Sequence, residues 1–441
     1  MAVLRSMTWS AMDEAARRAL CARGLEAIFD DDLMKAAIGR IIDDVRAHGD
    51  VAVCRALKDF DHVSLEPHQL RATSDEIGNA AVSSDLDEAI DDAIAHLRAF
   101  NEQLMRRVTN WSFESEPGLS VGEKITPISS AGLFVPSGKA SYPSVAYQLA
   151  VPATVAGVPQ LALVVPPVPD GGGQIDPAVL VVCRKLGIDN VFRVNGPAGV
   201  AALGFGTESI PQVHKIVGPG SPPVACAQVE MQRYGVATMM ILGPTESLVI
   251  ADDSADPRYL AADLLNEAEH GTDSSVLLVT ASTRLRDTVD RELERQLSTL
   301  PAVRADATRS ALGINGGCVI VGDLDEAAEV ANRWAPEHLQ VAVAAAAEQE
   351  LVDRLVNAGE ILVGQDTLFC AGNFVIGCPA SLPTGGFAHV SSGITADAFL
   401  KRTAVARADA TARRRMTPTI VAMSNHEGFQ AHANAAQIRR D

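Results

Sequence analysis

An α/β fold with two parallel-sheet halves is what this sequence predicts, and three observations carry the prediction. Short apolar runs alternate with segments of helical spacing, the pattern of βαβ units. The alternation occurs twice, in sets that meet near Leu242-Gly243-Pro244. Hydrophobic residues make up 47% of the chain but aromatics only 4%, with Ala and Val abundant, as suits helices packed on buried parallel sheets.

Before the first set, residues 1–118 read as a helical segment. Apolar residues recur there at three- and four-residue intervals, with charges between them, over 11–23, 31–48 and 84–107. The first strands fall at 132–135, 160–165, 190–194 and 215–217, giving a domain over 119–243. The second set falls at 247–251, 275–280, 318–321 and 360–363, giving a domain over 244–385. Pro166-Pro167-Val168-Pro169-Asp170-Gly171-Gly172-Gly173 reads as a flexible surface loop. Residues 386–441 form a helical tail, amphipathic over 396–404, 408–416 and 417–438, with a break near His426.

A length of 441 residues suits two or three domains. The net charge of −18 argues against nucleic acid or an anionic membrane as partner. Seven cysteines, odd in number and without C-x-x-C spacing, read as reduced thiols. The first residues carry no apolar leader, and no run of 18 apolar residues exists, so a cytoplasmic protein is expected.

The chemistry-bearing motifs are few. Pro336-Glu337-His338-Leu339 sets an acid beside an imidazole in a Pro-led turn. The adjacent carboxylate favours imidazolium, which predicts a base working near neutral pH; the bland alternative is a surface pair. Glu267 and His270 lie three apart in a helical segment over 258–270, between Pro257 and Gly271. That spacing places both on one face, as in carboxylate–imidazole metal sites. The competing reading is a solvated acidic face whose last histidine meets the helix dipole. Lys215-Ile216-Val217-Gly218-Pro219-Gly220-Ser221-Pro222 is strand, turn and helix start, with Ser221 as N-cap and Pro222 at the first helical position. Its backbone N–H groups can hold a phosphate, or it is a tight βα turn. No G-x-G-x-x-G is present. Glu427 and His432 are five apart, a spacing that one helical face does not align but a loop followed by a helix start does. A base together with a metal is the pairing that alcohol oxidation requires.

Taken together, these segments resemble histidinol dehydrogenase over nearly the whole chain. The resemblance rests on Val135-Pro136, Phe205-Gly206-Thr207-Glu208, Lys215-Ile216-Val217-Gly218-Pro219-Gly220, Gly243-Pro244-Thr245-Glu246, Ala268-Glu269-His270-Gly271, Ala335-Pro336-Glu337-His338-Leu339, Leu382-Pro383-Thr384 and Glu427-Gly428-Phe429-Gln430-Ala431-His432. It implies two incomplete Rossmann-like domains and a homodimer in which the tail is swapped onto the partner, so that active sites are shared. It implies oxidation of an amino alcohol through the aldehyde to the acid, with two NAD and one zinc. By position, His338 is the base of the first oxidation and Glu337 activates the water that attacks the aldehyde. Glu267, His270, Asn373 and His432 occupy the zinc-ligand positions, His432 serving the partner's site. Thr245 and Glu427 occupy substrate-binding positions, and Phe134, Ala198 and Ser221 cofactor-binding ones.

The departures from the family pattern are specific. Glu267 stands where the family has glutamine, and Asn373 stands where it has aspartate. A neutral ligand has become anionic and an anionic one neutral, so the ligand set keeps its summed charge, and metal binding is expected to persist. Phe134, Ala198 and Ser221 replace a tyrosine, a glutamine and an asparagine, which trims polar contacts to the cofactor at about 1 kcal/mol each. Cys378-Pro379-Ala380-Ser381 lacks a histidine that the family carries near its substrate. L-histidinol is the default substrate. The alternatives are a paralogue acting on another small polyol or amino alcohol, such as sulfopropanediol, or a catalytically silent zinc- or ligand-binding homologue.

Overall fold

The computed structural model describes residues 3–23, 30–136, 141–239 and 243–439. Its strands are β1 (Ser6–Thr8), β2 (Trp111–Glu116), β3 (Leu119–Pro127), β4 (Ser130–Phe134), β5 (Gln160–Val165), β6 (Val191–Arg193) and β7 (Lys215–Val217), then β8 (Ala237–Thr238), β9 (Glu246–Ala251), β10 (Ser275–Thr280), β11 (Gly317–Ile320), β12 (His338–Ala342), β13 (Glu360–Val363) and β14 (Leu400–Ala408).

Two parallel sheets organise the molecule. The first runs β6-β5-β4-β7-β8 and the second β1-β11-β10-β9-β12-β13. Apart from the added β1, both follow one plan: the earliest strand lies in the middle, and the order reverses beside it. In the first sheet that reversal falls between β4 and β7, and the crevice it opens is where an open α/β sheet takes ligands. The strands of both sheets are continuous apolar runs such as Leu161-Ala162-Leu163-Val164-Val165 and Val276-Leu277-Leu278-Val279, buried on both faces by helices.

Three expectations need correcting. Residues 1–118 are not purely helical. β1 joins the second sheet, pairing Ser6, Met7 and Thr8 with Cys318, Val319 and Ile320, and β2 lies before residue 118. The tail does not begin as a helix, because 396–404 spans a short 3₁₀ turn, Ala396–Phe399, and then enters β14. β14 pairs along its whole length with β3, from Leu400 opposite Pro127 to Ala408 opposite Leu119, and this antiparallel partner overrides the helical spacing. The third correction concerns β12, a central strand where a turn was read; its short run starts at His338, just after Pro336, and is interrupted by Gln340. Helices Ala410–His426 and Gln430–Gln437 complete the tail.

The motif Phe205-Gly206-Thr207-Glu208 acquires a structural role. The long helix Asp32–Phe60 kinks at Gly49, whose φ of 52° and ψ of −131° only glycine adopts readily. Beside the kink, buried Asp50 accepts hydrogen bonds from Thr207 Oγ1 and Ser209 Oγ, both at 2.5 Å, and donates its N–H to Glu208 Oε2 at 2.8 Å. A Cβ on residue 49 would collide with the Glu208 carboxylate. Gly49→Ala is therefore expected to lower unfolding stability by about 1–3 kcal/mol, the cost of a strained backbone position. A urea midpoint equal to the unsubstituted protein's would refute this account of the kink.

Candidate active site

Local sequence delivers Glu337 and His338 to the second sheet with little freedom. Helix Leu324–Trp334 is capped by Ala335 in the left-handed region (φ 50°), and Pro336 then bars further helix. The chain reverses and enters β12 with His338 as first residue. In the ladder, His338 pairs with Ser247 of β9 on one side and Glu360 of β13 on the other. Glu246, His338 and Glu360 thus begin three adjacent parallel strands, so the cluster sits at the strands' amino ends. Helix Pro257–Ala268 brings Glu267 to the same place from its last turn.

The result is one imidazole among carboxylates. His338 is buried, and its Nδ1 lies 2.5 Å from Glu360 Oε1. Its Nε2 lies 3.7 Å from Glu337 Oε1 and 3.9 Å from Glu267 Oε2. Phe369 packs edge-on against the ring, with centroids 6.0 Å apart. Glu337 accepts the Glu246 N–H at 3.1 Å. The Glu246 carboxylate accepts from the Gly385 N–H at 2.8 Å and stands 2.9 Å from the Arg23 guanidinium, which lies over the Trp334 ring. This ties the Pro383-Thr384-Gly385-Gly386 turn to the cluster.

Of the four expected metal ligands, the structure brings two together. Asn373 Nδ2 donates to Glu267 Oε1 at 2.9 Å. Glu267 is fully buried, and its Oε2 makes no hydrogen bond. A buried carboxylate oxygen without a partner, near an imidazole and at the negative end of a helix, fits a divalent cation such as zinc. His270 lies just past that helix, which ends at Ala268 rather than at 270, and is exposed. His432 and Glu427 are exposed on the tail, and Thr245 is partly buried immediately before β9. Among the described residues of one chain, no group of three His, Cys, Asp or Glu side chains is placed to hold a metal ion.

The expected cofactor positions lie at the carboxyl ends of first-sheet strands. Phe134 ends β4, Ala198 lies in the helix after β6, and Ser221 caps the helix after β7. Phe134 and Ala198 are buried in one apolar cluster, so they pack rather than offer polar contacts. The Ser221 side chain makes no capping bond. Nearby, Ser141 Oγ is buried without a partner at the start of helix Pro143–Val155, which fits a polar group such as a dinucleotide phosphate at that crevice. Residues 137–140 lie outside the described residues. The crevice and the carboxylate cluster are joined by Tyr147 Oη donating to the Phe374 carbonyl at 2.9 Å and Ala380 N donating to Gln148 Oε1 at 3.1 Å.

Electrostatics alter one expectation. Burial alone would lower the His338 pKa, but Glu267, Glu337 and the hydrogen bond to Glu360 outweigh it and push it up to about 10. The surrounding carboxylates thus favour the charged form of the ring more strongly than Glu337 alone would. Burial raises Glu337 to about 8, against the pull of His338 and the Glu246 N–H. Burial likewise raises Glu246 to about 7, with Arg23 and the Gly385 N–H opposing. Sequence reasoning gave no role to Glu246, Asp263, Glu360 or Arg23. Glu246 lies inside a quoted motif; Glu360 and Asp263 carry no sequence signal beyond a lone acid at a strand start and an acid four residues before Glu267.

Asp263 supplies a pH test. Burial raises its pKa from 3.8 to about 6, although it accepts from Gln340 Nε2 at 2.9 Å. A carboxyl raised in the folded state binds more protons folded than unfolded across that window, so stability falls as pH rises from 3.8 to about 6. In metal-stripped protein, Asp263→Asn keeps an acceptor for Gln340 and is expected to flatten the fall. Urea midpoints measured across the window check this, and a slope equal to that of the original sequence would rule it out.

The fold and cluster can be compared with known proteins. The family model for histidinol dehydrogenase matches residues 26–440. Histidinol dehydrogenase from Rhizobium meliloti (strain 1021) is 39% identical over 409 residues, covering 92% of each chain. A histidinol dehydrogenase homolog from Colwellia psychrerythraea is 35% identical over 407 residues, covering 91% of this chain and 89% of its own. The crystal structure of histidinol dehydrogenase from Elizabethkingia anophelis superimposes with a TM-score of 0.92 at 30% identity, covering 100% of this chain and 98% of that one. A match of this extent in sequence and backbone, carried by a chain whose Glu337-His338 pair is buried beside Glu267, makes the protein a member of the histidinol dehydrogenase family of NAD-dependent dehydrogenases.

Proposed function

We propose that the chain oxidises a primary alcohol, L-histidinol by default, through the aldehyde to the carboxylic acid, using NAD and one zinc per site. The observation that carries this reading is the placement of His338 Nε2 within 4 Å of both Glu337 and Glu267. Glu267, His270 and Asn373 of one chain and His432 of the other would hold the zinc. When bound, zinc would polarise the alcohol oxygen, and NAD would accept the hydride.

The chain's own groups do the rest. A cation held by Glu267 would lessen that carboxylate's pull on the His338 proton and would leave Nε2 a usable base. His338 then takes the hydroxyl proton as hydride leaves carbon. Glu337, in its ionised form, takes a proton from the water that adds to the aldehyde. The buried position of both excludes bulk water from the reacting atoms. Glu427 would meet the substrate's ammonium group, and Thr245 its polar end. Phe134, Ala198 and Ser221 would line the NAD pocket.

A homodimer with exchanged tails is part of the proposal. Its support is that the tail presents Glu427 and His432 at the surface, beside a groove of about 500 Å³ lined by Arg413, Thr417, Ile420, His432 and Arg439. Boundaries at 118/119, 243/244 and 385/386, and a cytoplasmic location, belong to the same reading. Among the described residues no helix is long and apolar enough to cross a membrane.

Metal analysis of recombinant protein is expected to give about one zinc per subunit, as one four-ligand site implies; none after zinc supplementation overturns the metal site. NADH formation with L-histidinol and a panel of diols, with and without zinc, tests the reaction. His338→Asn is expected to abolish NADH formation, and unchanged turnover in that variant removes His338 from the base role.

A further inference from the structure

Glu360 is the carboxylate in direct contact with the His338 ring that has been given no part so far. It begins β13 directly opposite His338 in the parallel ladder, is buried, and places Oε1 2.5 Å from Nδ1 of that ring. Its second oxygen makes no hydrogen bond. A buried carboxylate left half-satisfied is a costly way to fill space, where an apolar residue would serve a purely structural purpose better. Room for it depends on Gly372, where a Cβ would come within 2.9 Å of Glu360 Oε1.

We propose that Glu360 is a positioning residue for the oxidation: it accepts the Nδ1 proton of His338 and so directs Nε2 toward the side where Glu267 and Glu337 stand. The inference rests on the reading of His338 as the base. An imidazole has two nitrogens, and a proton fixed on Nδ1 leaves Nε2 as the one available to receive another. In the oxidation, the substrate O–H bond breaks and an Nε2–H bond forms. With NAD bound, its nicotinamide would accept the hydride from carbon, while the Nδ1 proton stays between His338 and Glu360. Glu360 gains no proton. With Phe369 against the ring and Glu360 on one nitrogen, the imidazole is held in one orientation before substrate arrives.

The test compares Glu360→Leu, Glu360→Gln and His338→Asn in the zinc-loaded full chain, reading NADH formation from L-histidinol and zinc content. Glu360→Leu is expected to lower kcat on the order of 10²-fold or more, the scale on which orienting carboxylates act, with KM little changed and zinc retained. Glu360→Gln still offers an oxygen to Nδ1 and is expected to recover much of that loss. If Glu360→Leu turns over like the unsubstituted chain while His338→Asn is dead, the positioning role is wrong and the base assignment stands. If His338→Asn also turns over normally, the base assignment itself has failed. Loss of zinc together with kcat in Glu360→Leu would make Glu360 a metal ligand instead and overturn the proposal. Should L-histidinol not be turned over at all, ¹⁵N-histidine NMR decides. The His338 signals, assigned by their absence in His338→Asn, are expected to show a protonated Nδ1 that changes in Glu360→Leu, and identical spectra would refute the contact.

Discussion

The crowding of negative charge around one buried imidazole is the constraint on which the rest of this structure turns. Glu267, Glu337 and Glu360 approach His338 from three directions in space closed to bulk water. Like charges buried together are tolerated only if protons, cations or hydrogen bonds offset them. Here the offsets are partial. The carboxylates raise the pKa of His338, burial raises that of Glu337, and Asn373 and Asn266 donate to one oxygen of Glu267. The other oxygen of Glu267 is left over. A divalent cation would offset that remaining charge, and a carboxylate oxygen beside an imidazole suits zinc.

Strand pairing, not loop design, creates the crowding. The first residues of β9, β12 and β13 are neighbours because those strands are parallel and in register, and a helix C-terminus adds its partial negative charge. The first sheet differs: its crevice opens at the carboxyl ends of its strands. The two sheets share one strand order, yet the carboxylate cluster lies at the amino ends of one and the crevice at the carboxyl ends of the other, and the segment 374–381 bridges them.

How much of this was legible depended on whether the signal was local. β5, β10 and β13 are apolar runs bounded by turn residues, and their limits can be read directly. β14 cannot, because Lys401, Arg402 and Arg407 leave it no apolar face, and only its pairing with β3 makes it a strand. β12 was hidden by the same Glu-His pair that announced the chemistry. Glu267, Glu337 and His338 were singled out by motif and spacing and then by the family resemblance, yet the sense of the electrostatics was not legible. A carboxylate adjacent in sequence suggested a modestly tuned base, whereas two further carboxylates, distant in sequence, add to the pull on the ring proton. Glu360 lies 22 residues from His338 and becomes its neighbour only through sheet register.

The placement of these groups at the very start of their strands carries an evolutionary consequence. A residue at a strand's first position contributes little to the interior packing that the following four or five residues secure, so it can be exchanged without moving the backbone. Glu246, His338 and Glu360 hold such first positions in β9, β12 and β13. New specificities can accumulate on this scaffold by single substitutions at the margin, while the sheets beneath go on folding as before.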